Sequence, residues 1–319
     1  MNQVIFILLF WTLLQLTSCS STEQEPQASN SDGVFLTVLG VAQDAGSPQI
    51  GCMKECCSKL WDQPEKHQKV TSLGLVDYAT QQTWMFEATP DFKVQSKILS
   101  GQLDTLAFHL PSGIFLTHGH MGHYTGLAHL GREAINASRV PVYGLPKMSA
   151  YLQSNGPWDQ LVALKNIQIQ SIKPDSSIRL NRAISVIPIT VPHRGEYTET
   201  VGFQINGPNK KVLFIPDIDK WNLWDRDVTA LIKNVDLALL DATFYANGEV
   251  GNRDMSEIPH PFVEESMRLF DSLPASERAK IHFIHFNHTN PLLRTESDAV
   301  RLVTSKGYGI AREGLKWEL

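Results

Sequence analysis

Five apolar runs in this 319-residue chain each stop at a histidine or an aspartate. GIFL leads into the block THGHMGH, which holds His118, His120 and His123. ISVIPITVP stops at His193, KVLFIP at Asp217, VDLALL at Asp241 and KIHFI at His285. Runs this short and this apolar read as strands, several of them covered on both faces. In layered α/β folds, ligand sites form beyond strand ends, where loops converge. One such ending means little, but five predict an α/β domain with one assembled site. No internal repeat interrupts the pattern.

The remaining sequence fits that class. A hydrophobic fraction of 42% is ample for a sizeable core. The net charge of −5 and the lack of basic runs give no electrostatic footprint for a nucleic-acid backbone and argue against stable binding to DNA or RNA. VFLTVLGVA reads as a strand opening into the loop QDAGSPQIGC, and LGLVDY and TWMFEA as a strand pair with Glu87 and Asp91 near its end. Leu103–His109 reads as a short helix or strand before the turn at 111–113, YTGLAHLGREAI and PFVEESMRLFDSL as helices, and PVYGLP as a strand.

Residues 1–19 read as a targeting segment whose apolar stretch suits a signal peptide better than a membrane span, with a plain cleaved signal or an uncleaved anchor as the alternatives to a lipoprotein. Its end, Leu16-Thr17-Ser18-Cys19, resembles a bacterial lipoprotein box, which implies export and lipid on Cys19 as an anchor to an envelope membrane. The polar, Pro/Ser-rich stretch 20–32 reads as a flexible tether, and the folded domain as 33–319.

Three imidazoles at i, i+2 and i+5 on a strand-to-helix loop can aim at one point, and neutral imidazole is the commonest metal ligand. The block resembles the HxHxDH signature of the metallo-β-lactamase superfamily, with Gly122 in place of the aspartate. The likeness runs from Gly33 to the C-terminus and implies a four-layer αβ/βα sandwich. It also implies that His118, His120 and His193 bind a first metal, and that His123, Asp217 and His285 bind a second, with Asp217 bridging. One or two zinc ions suit such donors, as do iron or manganese. Gly122 leaves the second metal short of a carboxylate. A weaker second site, a single-metal enzyme, or a substitute from Glu87 or Asp91 are the alternatives.

Asp241 in LLDATF and His260 in IPHPF resemble elements of the superfamily's phosphodiesterase branch, which includes tRNase Z and the carbon–phosphorus-lyase-associated cyclic phosphodiesterase. The resemblance implies an acidic residue that orients a histidine, which in turn protonates the leaving oxygen. A carboxylate on one ring nitrogen fixes the tautomer and raises the pKa of the ring. The loop QDAGSPQIGCMKECC and the segment HFNHTNPLL resemble the coenzyme PQQ biosynthesis protein B family. That likeness implies a closed, structural zinc on Cys52, Cys56, Cys57 and His288, although Cys-x-x-x-Cys-Cys replaces the related Cys-x-Cys-x-x-Cys. A disulfide is the competing reading, but three cysteines cannot all pair and a bond between neighbours is sterically awkward. His67, His109, His129 and His282 read as ordinary surface or core residues.

The expected function is a metal-dependent hydrolase that cleaves a phosphodiester or similar ester of a small-molecule substrate by a metal-bound hydroxide. The alternatives are an iron-dependent oxidative enzyme like the PQQ protein, or a non-catalytic, zinc-stabilised binding module of the envelope.

Overall fold

In the computed structural model, residues 33–319 are described apart from Asp104, Asn252 and Arg253. The lipobox, Cys19 and the tether lie outside the described residues.

The two halves of the chain build one sheet each. The first half lays down β1 (Val34–Gly40), β2 (Ser72–Asp77), β3 (Gln82–Phe86), β4 (Gly113–Phe115), β5 (Val140–Gly144) and β6 (Ile167–Ser171) in spatial order. The second half lays down β7 (Ile178–Arg179), β8 (Ser185–Thr190), β9 (Val201–Asn206), β10 (Lys211–Ile215), β11 (Leu237–Asp241), β12 (Ile281–Ile284) and β13 (Gly309–Ile310). The last strand, β14 (Lys316–Glu318), returns to the first sheet and pairs with β1.

Strands β10 to β13 run parallel, and β10, β11 and β12 are buried almost throughout. That explains why β11 up to Asp241 and all of β10 after Lys211 are apolar: a parallel strand covered on both faces has no solvent side to make polar. Between the sheets, Phe86, Phe115 and Phe203 form a buried aromatic wedge with ring centroids 5.1–5.6 Å apart. Phe115 also stacks on Tyr143 at 4.3 Å. This wedge lies two residues before the histidine block and fixes where β4 ends.

Helices α1 (Phe92–Ser100), α2 (Pro146–Ser154) and α3 (Trp158–Ala163) bury Leu99, Met148, Leu152 and Leu161 in a second core with Met85, Ile114 and Val142 of the first sheet. Helices α4 (Val228–Lys233) and α5 (Val263–Phe270) bury Ile232, Met267 and Phe270 with the second sheet's residues. The helix–sheet–sheet–helix layering expected from the resemblance is present.

Two local expectations fail. The described residues of 103–109 form neither helix nor strand; Leu106 and Phe108 point outward and leave that segment little to bury. The helix expected over YTGLAHLGREAI is one α-turn at Met121–Tyr124, then a 3-10 turn at Thr125–Leu130. Gly126 packs so tightly that a Cβ there would lie 2.2 Å from the Thr89 carbonyl oxygen, so the segment follows its neighbour and not its helical period.

Candidate metal centre

Every strand-end residue singled out above meets at one edge of the two sheets. His118, His120, His193 and Asp217 bring one donor atom each within 4.8 Å of one another. Within this group, His118 Nε2 is 2.8 Å from His120 Nδ1 and 3.3 Å from Asp217 Oδ2. His193 Nε2 is 3.4 Å from both His120 Nδ1 and Asp217 Oδ1. A second group of Asp44, His123, Asp217 and His285 is equally close and shares Asp217 with the first. His123 Nε2 lies 3.0 Å from Asp44 Oδ1 and 3.7 Å from Asp217 Oδ2, and His285 Nε2 lies 3.7 Å from Asp44 Oδ1.

The outer nitrogens of these rings are held by other groups. His193 Nδ1 donates to Asp219 at 3.0 Å, and His120 Nε2 to Glu196 at 3.1 Å. Carboxylates only accept, so in the neutral rings the lone pairs of His193 Nε2 and His120 Nδ1 face each other at 3.4 Å. Thr243 Oγ1 donates to Asp241 and receives from His285 Nδ1 at 2.9 Å, which turns His285 Nε2 inward as well, as a ligand once its proton is displaced by a metal. His123 Nδ1 lies 3.2 Å from Glu87 Oε1, close as an ion pair but not aligned as a hydrogen bond. Inward lone pairs fixed by outer partners are the arrangement found around metal-ligating imidazoles. Asp217 Oδ1 and His285 Nε2 are buried without hydrogen-bond partners among the described residues, which a cation between the donors would resolve. The residues therefore fit divalent metal.

The electrostatics follow from the same contacts. Burial, helped by the charge of His123, holds His118 well below the usual imidazole range. Burial also lowers His193. Burial opposes the charge of Asp217, but His193, His260 and His285 outweigh it and keep the carboxylate ionised. His285 is likewise penalised by burial, yet the carboxylates of Asp217, Asp241 and Asp44 carry it up to about 9. His285 also adopts φ +69°, a sparsely populated region for a residue with a side chain, as does Glu87 at φ +78°. Both strained positions touch the centre.

Asp241 and His260 stand beside it. Asp241 is fully buried and accepts from Ile218 N at 3.1 Å, Thr243 N at 2.8 Å and Thr243 Oγ1 at 2.7 Å. His260 Nδ1 sits 2.9 Å from Asp241 Oδ2 and 3.2 Å from Asp217 Oδ1. Burial disfavours charge on His260, but Asp241 and Asp217 raise its pKa above the ordinary value. Both carboxylates occupy Nδ1, which leaves Nε2 as the ring nitrogen for a substrate.

Cys52, Cys56, Cys57 and His288 gather within 4.8 Å, and all three thiols are free, with Cys52 and Cys56 sulfurs 3.8 Å apart. The altered spacing works because 55–62 folds as consecutive turns, with Cys57 N bonded to Lys54 O at 2.9 Å. His288 lies three residues beyond His285, so one short segment serves both groups.

The substitute carboxylate expected from Glu87 or Asp91 comes from neither. Glu87 sits on the outer nitrogen of His123, and Asp91 accepts from Val70 N at 2.8 Å. The residue at the second group is Asp44, in the loop after β1, which no spacing in the sequence marks. The other histidines are ordinary: His67 bonds Leu60 O at 2.8 Å, His129 stacks on Phe92, and His282 meets Trp317 edge-on.

Residues 83–285 match the model of the β-lactamase superfamily domain. The coenzyme PQQ synthesis protein B of Methylorubrum extorquens (strain PA1) is 25% identical over 307 residues, covering 90% of this chain and all of the relative. Its counterpart in Xanthomonas oryzae pv. oryzae (strain MAFF 311018) is 24% identical over 301 residues, covering 88% and 98%. Among solved structures, the fold matches Zn²⁺-bound PqqB from Methylobacterium extorquens with a TM-score of 0.74 at 22% identity, covering 89% of this chain and 100% of that one. It also matches a diphosphatase of the PhnP family with a TM-score of 0.61 at 22% identity, covering 90% and 97%.

Proposed function

Because this chain belongs to the β-lactamase superfamily, we propose that it is a metal-dependent hydrolase of a phosphodiester or similar ester. The observation that carries the reading is the Asp241–His260 pair, seated 3.2 Å from the carboxylate shared by both donor groups. His118, His120 and His193 would hold one metal, and His123 and His285 a second, with Asp217 common to both. Metal bound there supplies Lewis acidity and a nucleophilic water. The chain's own part is to deliver a proton. Asp241 holds His260 Nδ1, and His260 Nε2 protonates the departing oxygen. Thr243 couples this pair to His285 by bonding both Asp241 and His285 Nδ1. The Cys₃His group is a closed set of four donors and is assigned a structural zinc. Anchoring through Cys19 at a bacterial envelope membrane would direct the enzyme to a small envelope metabolite.

Purified, metal-loaded protein should hydrolyse bis-p-nitrophenyl phosphate, and His120→Ala should abolish the activity while the fold persists. Full activity in that variant would sink the assignment. The likeness to PQQ synthesis protein B favours a second reading, an iron-dependent oxidative step. O₂ consumption by Fe(II)-loaded protein only in the presence of a tyrosine-containing substrate would select it.

A further inference from the structure

Position 122 is the one place where the histidine block departs from its superfamily signature, and the space there is filled from elsewhere. A Cβ built on Gly122 would lie 2.5 Å from Asp44 Oδ1 and 2.6 Å from Asp44 Cα. The backbone of the 43–46 loop therefore rests against Gly122, and no side chain fits between them. The loop is held there by Gln43 N bonded to Phe286 O at 2.8 Å and Ala42 N bonded to Lys69 O at 2.9 Å. Its carboxylate points at the second donor group, 3.0 Å from His123 Nε2 and 3.7 Å from His285 Nε2.

We propose that Asp44 is the carboxylate ligand of the second metal, supplied from the loop after β1 in place of the aspartate missing at 122. The glycine is then a requirement of the site and not a defect in it, because the new ligand arrives through the volume that a side chain at 122 would take. The second group becomes Asp44, His123, Asp217 and His285, two carboxylates and two imidazoles, equal in number to the donors of the first. The inference rests on the functional reading only in taking the His/Asp cluster to bind metal.

The test is zinc content per chain, measured after dialysis against a series of buffered free-zinc concentrations, with circular dichroism to verify folding. Asp44→Asn keeps the shape and removes the charge; Gly122→Ala keeps every donor and displaces the loop. Each should weaken one zinc at least about tenfold, since loss even of groups that only orient a ligand costs 10–100-fold. The remaining zinc should bind as before. Two cluster zincs in Asp44→Asn at wild-type affinity would overturn the proposal while leaving the hydrolase reading intact. A wild type that holds no zinc beyond the cysteine group would overturn both.

Discussion

Replacing Asp241 by asparagine separates a proton-delivering His260 from a merely structural one. Asp241 uses Oδ1 for two Thr243 donors and Oδ2 for Ile218 N and His260 Nδ1. Asparagine can keep only one oxygen. If that oxygen stays on Thr243, its NH₂ faces Ile218 N, a donor with nothing left to donate to, and His260 Nδ1, which must now accept. The ring then carries its proton on Nε2 as a neutral imidazole, a far weaker acid. General acid catalysis is worth about 10²–10⁴-fold. Asp217 Oδ1, 3.2 Å from the same nitrogen, retains part of the effect, so a loss of about 10²–10³ is expected for poor leaving groups. The assay is kcat/KM across aryl phosphodiesters of graded phenol acidity, with zinc content checked in each variant. The loss should shrink to less than about tenfold for p-nitrophenolate, which departs without a proton, and His260→Ala should show the same gradient. An equal loss at every leaving group would refute the assignment and leave Asp241 a structural residue. The orphaned Ile218 donor should also cost about 1–3 kcal/mol of stability by denaturant titration.

Chelation should destabilise the wild type, because each donor group draws on both sheets. Zinc at 100 times its dissociation constant contributes about 2.7 kcal/mol, so EDTA should lower the melting temperature and added zinc restore it; identical melts with and without EDTA would contradict metal binding at the seam. Cys52→Ser should remove one zinc and expose the 43–57 loop to limited proteolysis; unchanged zinc content would rule the Cys₃His group out as a metal site.

Much of the site was legible because parallel, doubly covered strands such as β10 and β11 stay apolar from their second residue until they end, so Asp217 and Asp241 stand out. The histidine block and the four donors of the cysteine group carried their own spacing. Asp44 carried none. It lies in a turn-rich loop whose approach depends on Gly122, 78 positions later, and on backbone bonds to Phe286. Glu87 and Asp91 were nearer in the expected strand order, but their oxygens are committed to His123 Nδ1 and Val70 N. The 103–109 segment misled for a different reason: Leu103 is buried, but Leu106 and Phe108 are exposed.

Both donor groups take members from each half of the chain, and each wait on Asp217, with the second also waiting on His285. While the chain is being made, the block HGHMGH exists for a long time without them. A loose peptide of that kind follows the general affinity order of divalent ions, in which copper leads. Once β12 is in place and β14 has returned to β1, donor positions are set by two packed sheets, and geometry takes over from raw affinity. The choice of ion thus belongs to the finished scaffold, and a protein loaded after folding should differ in metal identity from one refolded in a mixture of ions.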